Sequence, residues 1–404
     1  MALRKTVRVA IAGLSLLAAG TLAQAESIKI GTLNPVTGPL GPSGTHALQG
    51  HVLAVEEINA AGGIKSLGGA TLELVNGDSQ GNPGTGRTET TRIIDDGAVA
   101  VIGAFQSSVT LDASLVAERA GIPFLDPTAV ADSLTTRGLK NFLMLTVKSS
   151  SGYADQIKFV SELATKLGLE KARVALLYES SDFGQAVAKA QLETIAKHSN
   201  LEVVSDIAFE AGSGDLSAQM ARVKAANPDI LLDASYIVDA IGIARSMARL
   251  GMDNVIQVSA GGGIFDPEYL STLKGIAENK LTLNFWSRDV NPAAVEFTRK
   301  YEAKFGTSPT GNSAQSYLAT YIVAAALEKA GSSAPAALRD AMLGVTEADV
   351  PEQARVMQYG IKFNPQNGYN DAGFALVTQI QDGKHVVVWP DSIAHDKLRL
   401  PAKK

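Results

Sequence analysis

Short apolar runs rich in β-branched residues alternate with longer amphipathic stretches, and this alternation constrains the fold more than any other feature. Within the stretch 45–61, apolar residues recur near the helical period until Gly62 and Gly63 end it. The predicted strands are 28–33, 70–75, 98–103, 122–125, 173–178, 202–209, 229–234 and 255–259. Strands that alternate with helices pair in parallel sheets wrapped by those helices. The sequence therefore predicts an α/β fold built from doubly wound parallel sheets.

The alternation restarts near Lys148, which predicts two α/β units in tandem. After a strand at 281–285, three consecutive helices follow without an obvious strand between them, at 292–305, 313–330 and 334–343. We expect them to pack on the first unit. The runs 374–380 and 384–389 predict a β-hairpin. An isolated hairpin is marginally stable, so this one should dock on a sheet edge.

The first 25 residues have the form of a secretory signal. Arg4, Lys5 and Arg8 make a basic start, an apolar run follows over 9–19, and Ala23-Gln24-Ala25 fits a signal-peptidase site. The apolar run is too short to span a bilayer. We expect cleavage after residue 25 and export of the rest; the alternative is an anchor that stays attached.

Composition excludes several functions. The chain has 404 residues, and removing the 25 of the signal leaves 379, which is enough for two domains. The whole chain has a net charge of −5, and the signal carries three positive charges, so the remainder has a charge of −8. An acidic chain is a poor nucleic-acid partner. The absence of cysteine excludes disulfides, thiol catalysis and thiolate metal sites.

No catalytic or metal-binding pattern is present in the sequence, so we predict no catalytic residues, no metal and no cofactor. His46 and His51 are five residues apart, which places them on different faces of a helix. His46 is expected to be a solvated residue at a helix start. There is no nucleophile elbow, no dinucleotide fingerprint and no P-loop. The chain is therefore not expected to be an enzyme.

Three segments carry a family resemblance. They are 31–41 (GTLNPVTGPLG) with the following 56–64 (EEINAAGGI), then 101–110 (VIGAFQSSVT), and 120–124 (AGIPF). On the basis of these segments and the signal, the chain resembles the periplasmic leucine/isoleucine/valine-binding proteins of ABC importers. The resemblance covers essentially the whole chain after residue 25.

The resemblance implies a type I fold of two lobes joined by three hinge strands, with a ligand cleft between the lobes. Crossings are expected near Lys148, Asn284 and Phe363. Lobe one would then comprise 26–147 plus 285–362, and lobe two 148–284 plus 363–404. Open α/β sheets bind ligands at the carboxyl ends of their strands, which agrees with such a cleft.

The predicted anion site is Ser107-Ser108, where a strand ends and a helix opens. Free backbone N–H groups at a helix start attract anions, although serine is also a common helix cap. The resemblance implies that Ser107 holds a carboxylate of the ligand, with Thr128 as the next contact. Asp126 either caps the following turn or faces an amine of the ligand.

Aromatic rings are the predicted walls of the cleft. The resemblance implies that Phe183 and Tyr236 close over the ligand, since rings supply apolar area at little entropic cost. Phe105, Phe265 and Trp286 are further candidates for the walls, each equally compatible with a place in the core.

The loop after strand 255–259 departs from the family. Amino-acid binders of this family have an acidic residue there for the α-ammonium, and this chain has Gly262. A glycine cannot neutralise a buried ammonium. Unless Asp126, Asp239 or Asp266 substitutes, the ligand lacks an α-amine.

Three functions follow as hypotheses. The first is a monomeric periplasmic receptor that delivers a small carboxylate, a branched-chain amino acid or a related acid, to a permease and ATPase complex in the inner membrane. A receptor for aromatic or aliphatic carboxylates is its variant. The second is a ligand sensor that reports to a signalling receptor, and the third is an exported enzyme.

Overall fold

The computed structural model describes residues 27–400, so the predicted signal at 1–25 lies outside the described residues. The strands are β1 (Ile28–Asn34), β2 (Leu72–Asp78), β3 (Ala100–Gly103), β4 (Phe124–Asp126), β5 (Phe142–Met144), β6 (Ala172–Glu179), β7 (Leu201–Phe209), β8 (Ile230–Ala234), β9 (Ile256–Ser259), β10 (Leu281–Asn284), β11 (Leu376–Gln381) and β12 (Lys384–Trp389). The α-helices are α1 (Gly41–Ala60), α2 (Pro83–Asp95), α3 (Ser107–Ala120), α4 (Ser149–Lys166), α5 (Asp182–Ile195), α6 (Ser217–Ala225), α7 (Ile237–Arg249), α8 (Pro267–Leu273), α9 (Pro292–Phe305), α10 (Gly311–Ala330) and α11 (Pro335–Leu343).

The first sheet has the strand order β2-β1-β3-β4-β5, and all of its pairs are parallel. Its inner strands are buried on both faces, as all four residues of β3 illustrate. Burial on both faces explains why this strand reads in the sequence as a continuous apolar run without alternation. The three-residue strand β5 was not predicted, because so short a run gives no periodic signal.

The second sheet has the order β12-β11-β10-β9-β8-β6-β7. It is parallel from β7 to β10, and β11 then pairs antiparallel with β10. The predicted hairpin is present as β11 and β12, and it extends the sheet edge as expected. Its turn has Asp382 and Gly383 at φ values of 53° and 72°, a left-handed pair that matches the twist of hairpin strands.

The consecutive helices α9, α10 and α11 pack around the first sheet. Helix α10 lies against α1, and their backbones come so close that a Cβ on Gly50 would stand 2.2 Å from the Ser313 carbonyl oxygen. Rings of α9 and α10 fill the space beside them, with the centroids of Phe297 and Tyr317 4.8 Å apart. Helix α10 starts two residues before its predicted start, because Thr310 caps it through the Ser313 N–H.

We call lobe one the first sheet with the helices that cover it, and lobe two the second sheet with its helices. The chain passes from β5 to α4 at 145–148, and from β10 to α9 at 285–291. Before the third passage, Tyr369 still pairs with Met144 of lobe one, whereas Ala375 packs in the core of lobe two. The third passage therefore lies at 370–375, and Phe363, where it was expected, is buried in the core of lobe one.

None of the helices within 27–400 combines the length and the apolar character needed to cross a membrane. The same residues contain no group of three or more histidine, aspartate or glutamate side chains arranged to hold a metal ion.

Candidate ligand cleft between the lobes

A cavity of about 50 Å³ lies between the lobes, where parallel strands of both sheets end. Loops after β3 and β4 supply its walls from lobe one, and loops after β6, β8 and β9 supply them from lobe two. The lining residues are Phe105, Ser107, Thr128, Ala129, Val130, Tyr153, Phe183, Tyr236, Ala260, Gly261, Gly262, Phe265, Asn284, Phe285, Gly311, Asn312 and Gln315. An apolar cavity of about 150 Å³ holds one benzene molecule. A ring-sized ligand therefore enters only when the lobes separate.

Helix α3 presents its N-terminus to this cavity through Ser107. The first helical hydrogen bond of α3 is donated by the Thr110 N–H to the Gln106 carbonyl, so the N–H groups of Ser107 and Ser108 precede it. The Ser107 hydroxyl accepts from the Ala131 N–H at 3.3 Å and keeps its own proton for donation. Ser107 is thus equipped to bind an anion. The half-buried Ser108 side chain is not part of the cavity wall.

Asp126 caps the loop after β4. Its Oδ1 accepts from the N–H groups of Thr128 and Ala129, at 3.0 and 2.8 Å, and Asp126 does not line the cavity. Complete burial raises the pKa of Asp126 to about 8, although these two hydrogen bonds oppose the shift. Of the two roles weighed for Asp126, the structure shows the turn cap. Thr128 lies at the cavity wall.

Three rings form one cluster across the cleft. Tyr236 lies between Phe183 and Phe105, with centroid distances of 5.3 and 6.0 Å. Phe105 comes from lobe one and the other two rings from lobe two, so the cluster bridges the lobes. Phe105 has a φ of 73°, a left-handed conformation that few residues other than glycine adopt and that recurs at ligand sites. Of the other two candidates, Phe265 lines the cavity, and Trp286 packs on Phe297 in the core instead.

Gly262 lies at the cavity wall, and its backbone leaves no room for a side chain. A Cβ there would stand 2.2 Å from the Ser235 carbonyl oxygen, and φ is 72°. At Gly263 a Cβ would stand 2.1 Å from the Cα of Ile237. The loop therefore packs backbone to backbone against the start of α7, which explains physically why an acidic residue cannot be accommodated at this position.

The lobes also touch through polar contacts between α1 and the segment around α8. The Ser43 hydroxyl donates to Asp266 Oδ2, and His46 Nε2 lies 3.5 Å from Glu268 Oε2. His46 is 3% exposed and also bonds Tyr301 at 2.9 Å, so the prediction of a solvated histidine at this position was wrong. The sequence could not reveal a partner more than 200 positions away. These contacts make this the closed arrangement of the lobes.

No charged residue lines the cavity within the described part of the chain. The three carboxylates considered as substitutes for the missing acidic residue are bound elsewhere. Asp126 caps its loop, Asp239 accepts from the N–H groups of Gly212 and Gly214 at 2.7 and 3.2 Å, and Asp266 accepts from Ser43. Burial raises the pKa of Asp239 and raises that of Asp266 to about 7.

Sequence reasoning missed four polar residues of the cavity wall. Tyr153 of α4 donates its hydroxyl proton to the Ala260 carbonyl at 2.8 Å, and Asn284, Asn312 and Gln315 form an amide-bearing wall. The sequence carried no signal for Asn312 and Gln315, because α10 also contains other polar residues, such as Ser313, Ser316 and Thr320, and is buried from Gly311 to Leu327. The fold alone brings that helix to the cleft.

Two α/β lobes that enclose a cavity at the ends of their parallel strands define a two-lobed solute-binding protein. The family model described as periplasmic binding protein matches residues 27–384. The Leu/Ile/Val-binding protein homolog 7 of Brucella melitensis is 33% identical, and the match covers 97% of this chain and 98% of the relative. The chain belongs to the periplasmic binding protein family, in its leucine/isoleucine/valine-binding branch.

Solved structures share the fold. The substrate-binding protein LivJ of a branched-chain amino acid transporter from Streptococcus pneumoniae, in complex with isoleucine, is 27% identical, with a TM-score of 0.77 over 90% of this chain and 100% of that one. A second solved structure is a solute-binding protein of an ABC transporter from Rhodopseudomonas palustris in complex with 3,4-dihydroxybenzoic acid. It is 19% identical, with a TM-score of 0.77, and the match covers 89% of this chain and 95% of that one. The fold is therefore that of the type I periplasmic binding proteins.

Proposed function

We propose that this protein is the periplasmic substrate-binding subunit of an ABC importer, and that its ligand is a small carboxylic acid without an α-ammonium group. The observation that carries the ligand class is the chemistry of the cavity wall. An open helix N-terminus with a free hydroxyl donor lines it, and none of the described lining residues is charged. Closure of the lobes around the ligand produces the form that the permease receives.

A carboxylate fits the start of α3 for two physical reasons. The N–H groups of Ser107 and Ser108 have no helical acceptor, and the helix dipole adds positive potential at this end. Charge-assisted hydrogen bonds to a carboxylate are stronger than neutral ones. The Phe183 and Tyr236 rings then cover the apolar part of the ligand.

An α-ammonium fits poorly, because no described carboxylate faces the cavity. Leaving an ammonium buried without a counter-charge costs several kcal/mol. Asp126, Asp239 and Asp266 each have a hydrogen-bonding role elsewhere, so recruiting one of them would break existing contacts. This reasoning favours an acid over an amino acid.

A branched-chain amino acid remains the second candidate, on the strength of the relatives. LivJ from Streptococcus pneumoniae is solved with isoleucine, and the Brucella relatives are named as Leu/Ile/Val-binding protein homologs. The fold does not decide between the ligands, since the same architecture is solved with 3,4-dihydroxybenzoic acid.

Export and transport partners belong to the same proposal. The basic and apolar start with its Ala23-Gln24-Ala25 motif supports export to the periplasm and cleavage after residue 25. The solved neighbour described as a solute-binding protein of an ABC transporter supports a permease and an ATPase as partners. Acting as a monomer and without catalysis is part of the same proposal.

Thermal unfolding with two ligand panels tests this proposal, on protein refolded from denaturant to remove bound solute. One panel holds hydrophobic L-amino acids, and the other holds aliphatic and aromatic acids without an α-amine. A ligand at 100 times its Kd adds about 2.7 kcal/mol, which raises the midpoint by a degree or more. We expect shifts with the acids only. Shifts with amino acids only would refute the ligand class.

Two neighbouring serines provide a matched pair of variants. Ser107→Ala removes the hydroxyl that lines the cavity, and we expect it to lose most of the acid-induced shift. Ser108→Ala changes the next residue of the same helix turn, whose side chain is outside the cavity wall, and we expect it to keep the shift. Equal losses in both variants would contradict the assignment of Ser107.

A further inference from the structure

The cavity wall contains a side-chain amide nitrogen without a partner. Asn312, in the first turn of α10, is 4% exposed and lines the cavity, and its Nδ2 has no hydrogen-bond partner within residues 27–400. The great majority of buried polar atoms are hydrogen-bonded, and an unsatisfied one is costly. An orphaned donor at the wall of a ligand cavity points to a partner on the ligand.

The two amides beside it have protein partners. Asn284 Oδ1 accepts from the Phe285 N–H at 2.8 Å, and Gln315 Nε2 donates to Thr146 Oγ1 at 2.7 Å. These bonds hold both side chains, whereas Asn312 Nδ2 makes none within the described part of the chain. Of these three amides, Asn312 is the one whose side-chain nitrogen is buried without a hydrogen-bond partner among the described residues.

The backbone adds to the donor character of this wall. In α10 the Ser313 N–H donates a hydrogen bond to the Thr310 hydroxyl, and the Ala314 N–H donates one to the Thr310 carbonyl. The N–H groups of Gly311 and Asn312 precede these bonds, and Gly311 also lines the cavity. A helix start and a free amide thus present donors to the same side of the cavity.

We infer that the ligand carries, in addition to its carboxylate, a second oxygen that accepts a hydrogen bond from Asn312. This inference rests on the proposed function, since it assumes that the carboxylate lies at α3. The oxygen belongs to a hydroxyl, a carbonyl or a second carboxylate, which share the acceptor chemistry. A methyl group at this place would leave Nδ2 unsatisfied.

Isothermal titration with matched acids tests the inference and separates the three sources of the oxygen. The pairs are benzoate with 4-hydroxybenzoate, 4-methylpentanoate with 4-methyl-2-oxopentanoate, and pentanoate with pentanedioate. In at least one pair, we expect the wild-type protein to bind the oxygenated acid more tightly. The expected gain is about two- to tenfold for a hydroxyl or carbonyl, the range for one neutral hydrogen bond, and about ten- to hundredfold for the charged second carboxylate of pentanedioate.

Variants of Asn312 identify the donor. Asn312→Leu keeps the approximate size and removes the amide, so it should remove the difference in affinity between the oxygenated acid and its partner. Asn312→Asp removes the donor without added apolar bulk, and should abolish or reverse the preference even if the leucine variant does not fold. Asn254→Asp adds the same charge on the exposed surface of lobe two and should change neither affinity.

The outcomes separate the two proposals. If simple acids bind the wild-type protein and no pair shows a preference, or if the preference survives both Asn312 variants, the inference about the second oxygen is wrong and the acid receptor stands. If none of the acids binds while leucine does, the proposed ligand class itself fails, and the inference fails with it.

Discussion

Asp266 is the carboxylate on which the acidity of the solution should act most directly, because it is buried where the lobes meet. Its Oδ2 accepts from the Ser43 hydroxyl of the other lobe, and its Oδ1 has no partner among the described residues. Burial raises the pKa of Asp266 from 3.8 to about 7, since desolvation penalises the charged form more than the Ser43 bond and the nearby His46 favour it.

The sign of the effect follows from proton counting. Between pH 3.8 and pH 7 the carboxyl of the unfolded chain has released its proton, whereas the folded protein retains it. The folded state binds more protons in this window, so the contribution of Asp266 to stability is complete below pH 3.8 and is lost as the pH rises towards 7. A difference of one bound proton changes the free energy of unfolding by about 1.36 kcal/mol per pH unit, and the difference is smaller than one proton close to pH 7. The loss of stability from pH 5 to pH 7 is therefore about 2 kcal/mol.

Asp266→Asn removes this titration and keeps an oxygen that accepts from Ser43. We expect the free energy of unfolding of the variant, relative to that of wild type, to rise by about 2 kcal/mol between pH 5 and pH 7. Urea unfolding at both pH values measures it, provided that the m-values agree. The buried Asp126 titrates in both proteins and cancels in the comparison.

Asp95→Asn, on the exposed surface of α2, is the matched control and should show the same difference from wild type at both pH values. If Asp266→Asn also differs from wild type by the same amount at pH 5 and pH 7, then Asp266 does not change its protonation state on unfolding in this window. The account of a desolvated carboxyl between the lobes would then be refuted.

Two further predictions concern the loop that closes the cavity from lobe two. Gly262→Ala should lower the free energy of unfolding by at least about 2 kcal/mol in urea titration, because φ is 72° and the new Cβ would stand 2.2 Å from the Ser235 carbonyl oxygen. Gly275→Ala, with no atom within 4 Å of its Cβ, is the control and should cost less than 1 kcal/mol. Tyr153→Phe should cost about 1–2 kcal/mol, since it leaves the buried Ala260 carbonyl without its 2.8 Å partner; an unchanged urea midpoint would contradict this.

The alternation of strands and helices was sufficient to predict the fold class, because the short apolar runs were bounded by turn residues and separated by longer amphipathic stretches. The hairpin of β11 and β12 was visible for the same reason, since Asp382-Gly383 combines turn chemistry with flanking strand patterns. The strand β5 has three residues, too few for any period. The third passage between the lobes was misplaced, because the region around Phe363 pairs through isolated bridges that leave no pattern in the sequence.

For the candidate site, some residues could be predicted from the sequence and others could not. Ser107 could be proposed because it follows a predicted strand, where parallel sheets bind ligands, whereas Phe183 and Tyr236 were proposed from the resemblance to the family. Asn312 could not, because α10 is buried almost all round and its cavity-facing residues carry no amphipathic signal. Likewise, the sequence showed that position 262 holds a glycine where amino-acid binders of the family have an acidic residue. Only the structure explains why no side chain fits there, since the Ser235 carbonyl oxygen occupies the space.

The closed arrangement buries polar groups that it does not satisfy, and this couples closure to ligand binding. Three such atoms have no partner within the described chain: Asp266 Oδ1 at the contact between the lobes, Gln106 Oε1 in a second pocket between the lobes, and Asn312 Nδ2 in the cavity. Each such group costs about 1–3 kcal/mol, and separating the lobes gives it water instead. An empty cleft is thereby biased towards the open form. A ligand can supply an acceptor to Asn312 and an anion to α3, and it removes part of this penalty only when the lobes are closed. Such a ligand binds the closed form more tightly than the open form, and this difference in affinity is what shifts the population towards closure.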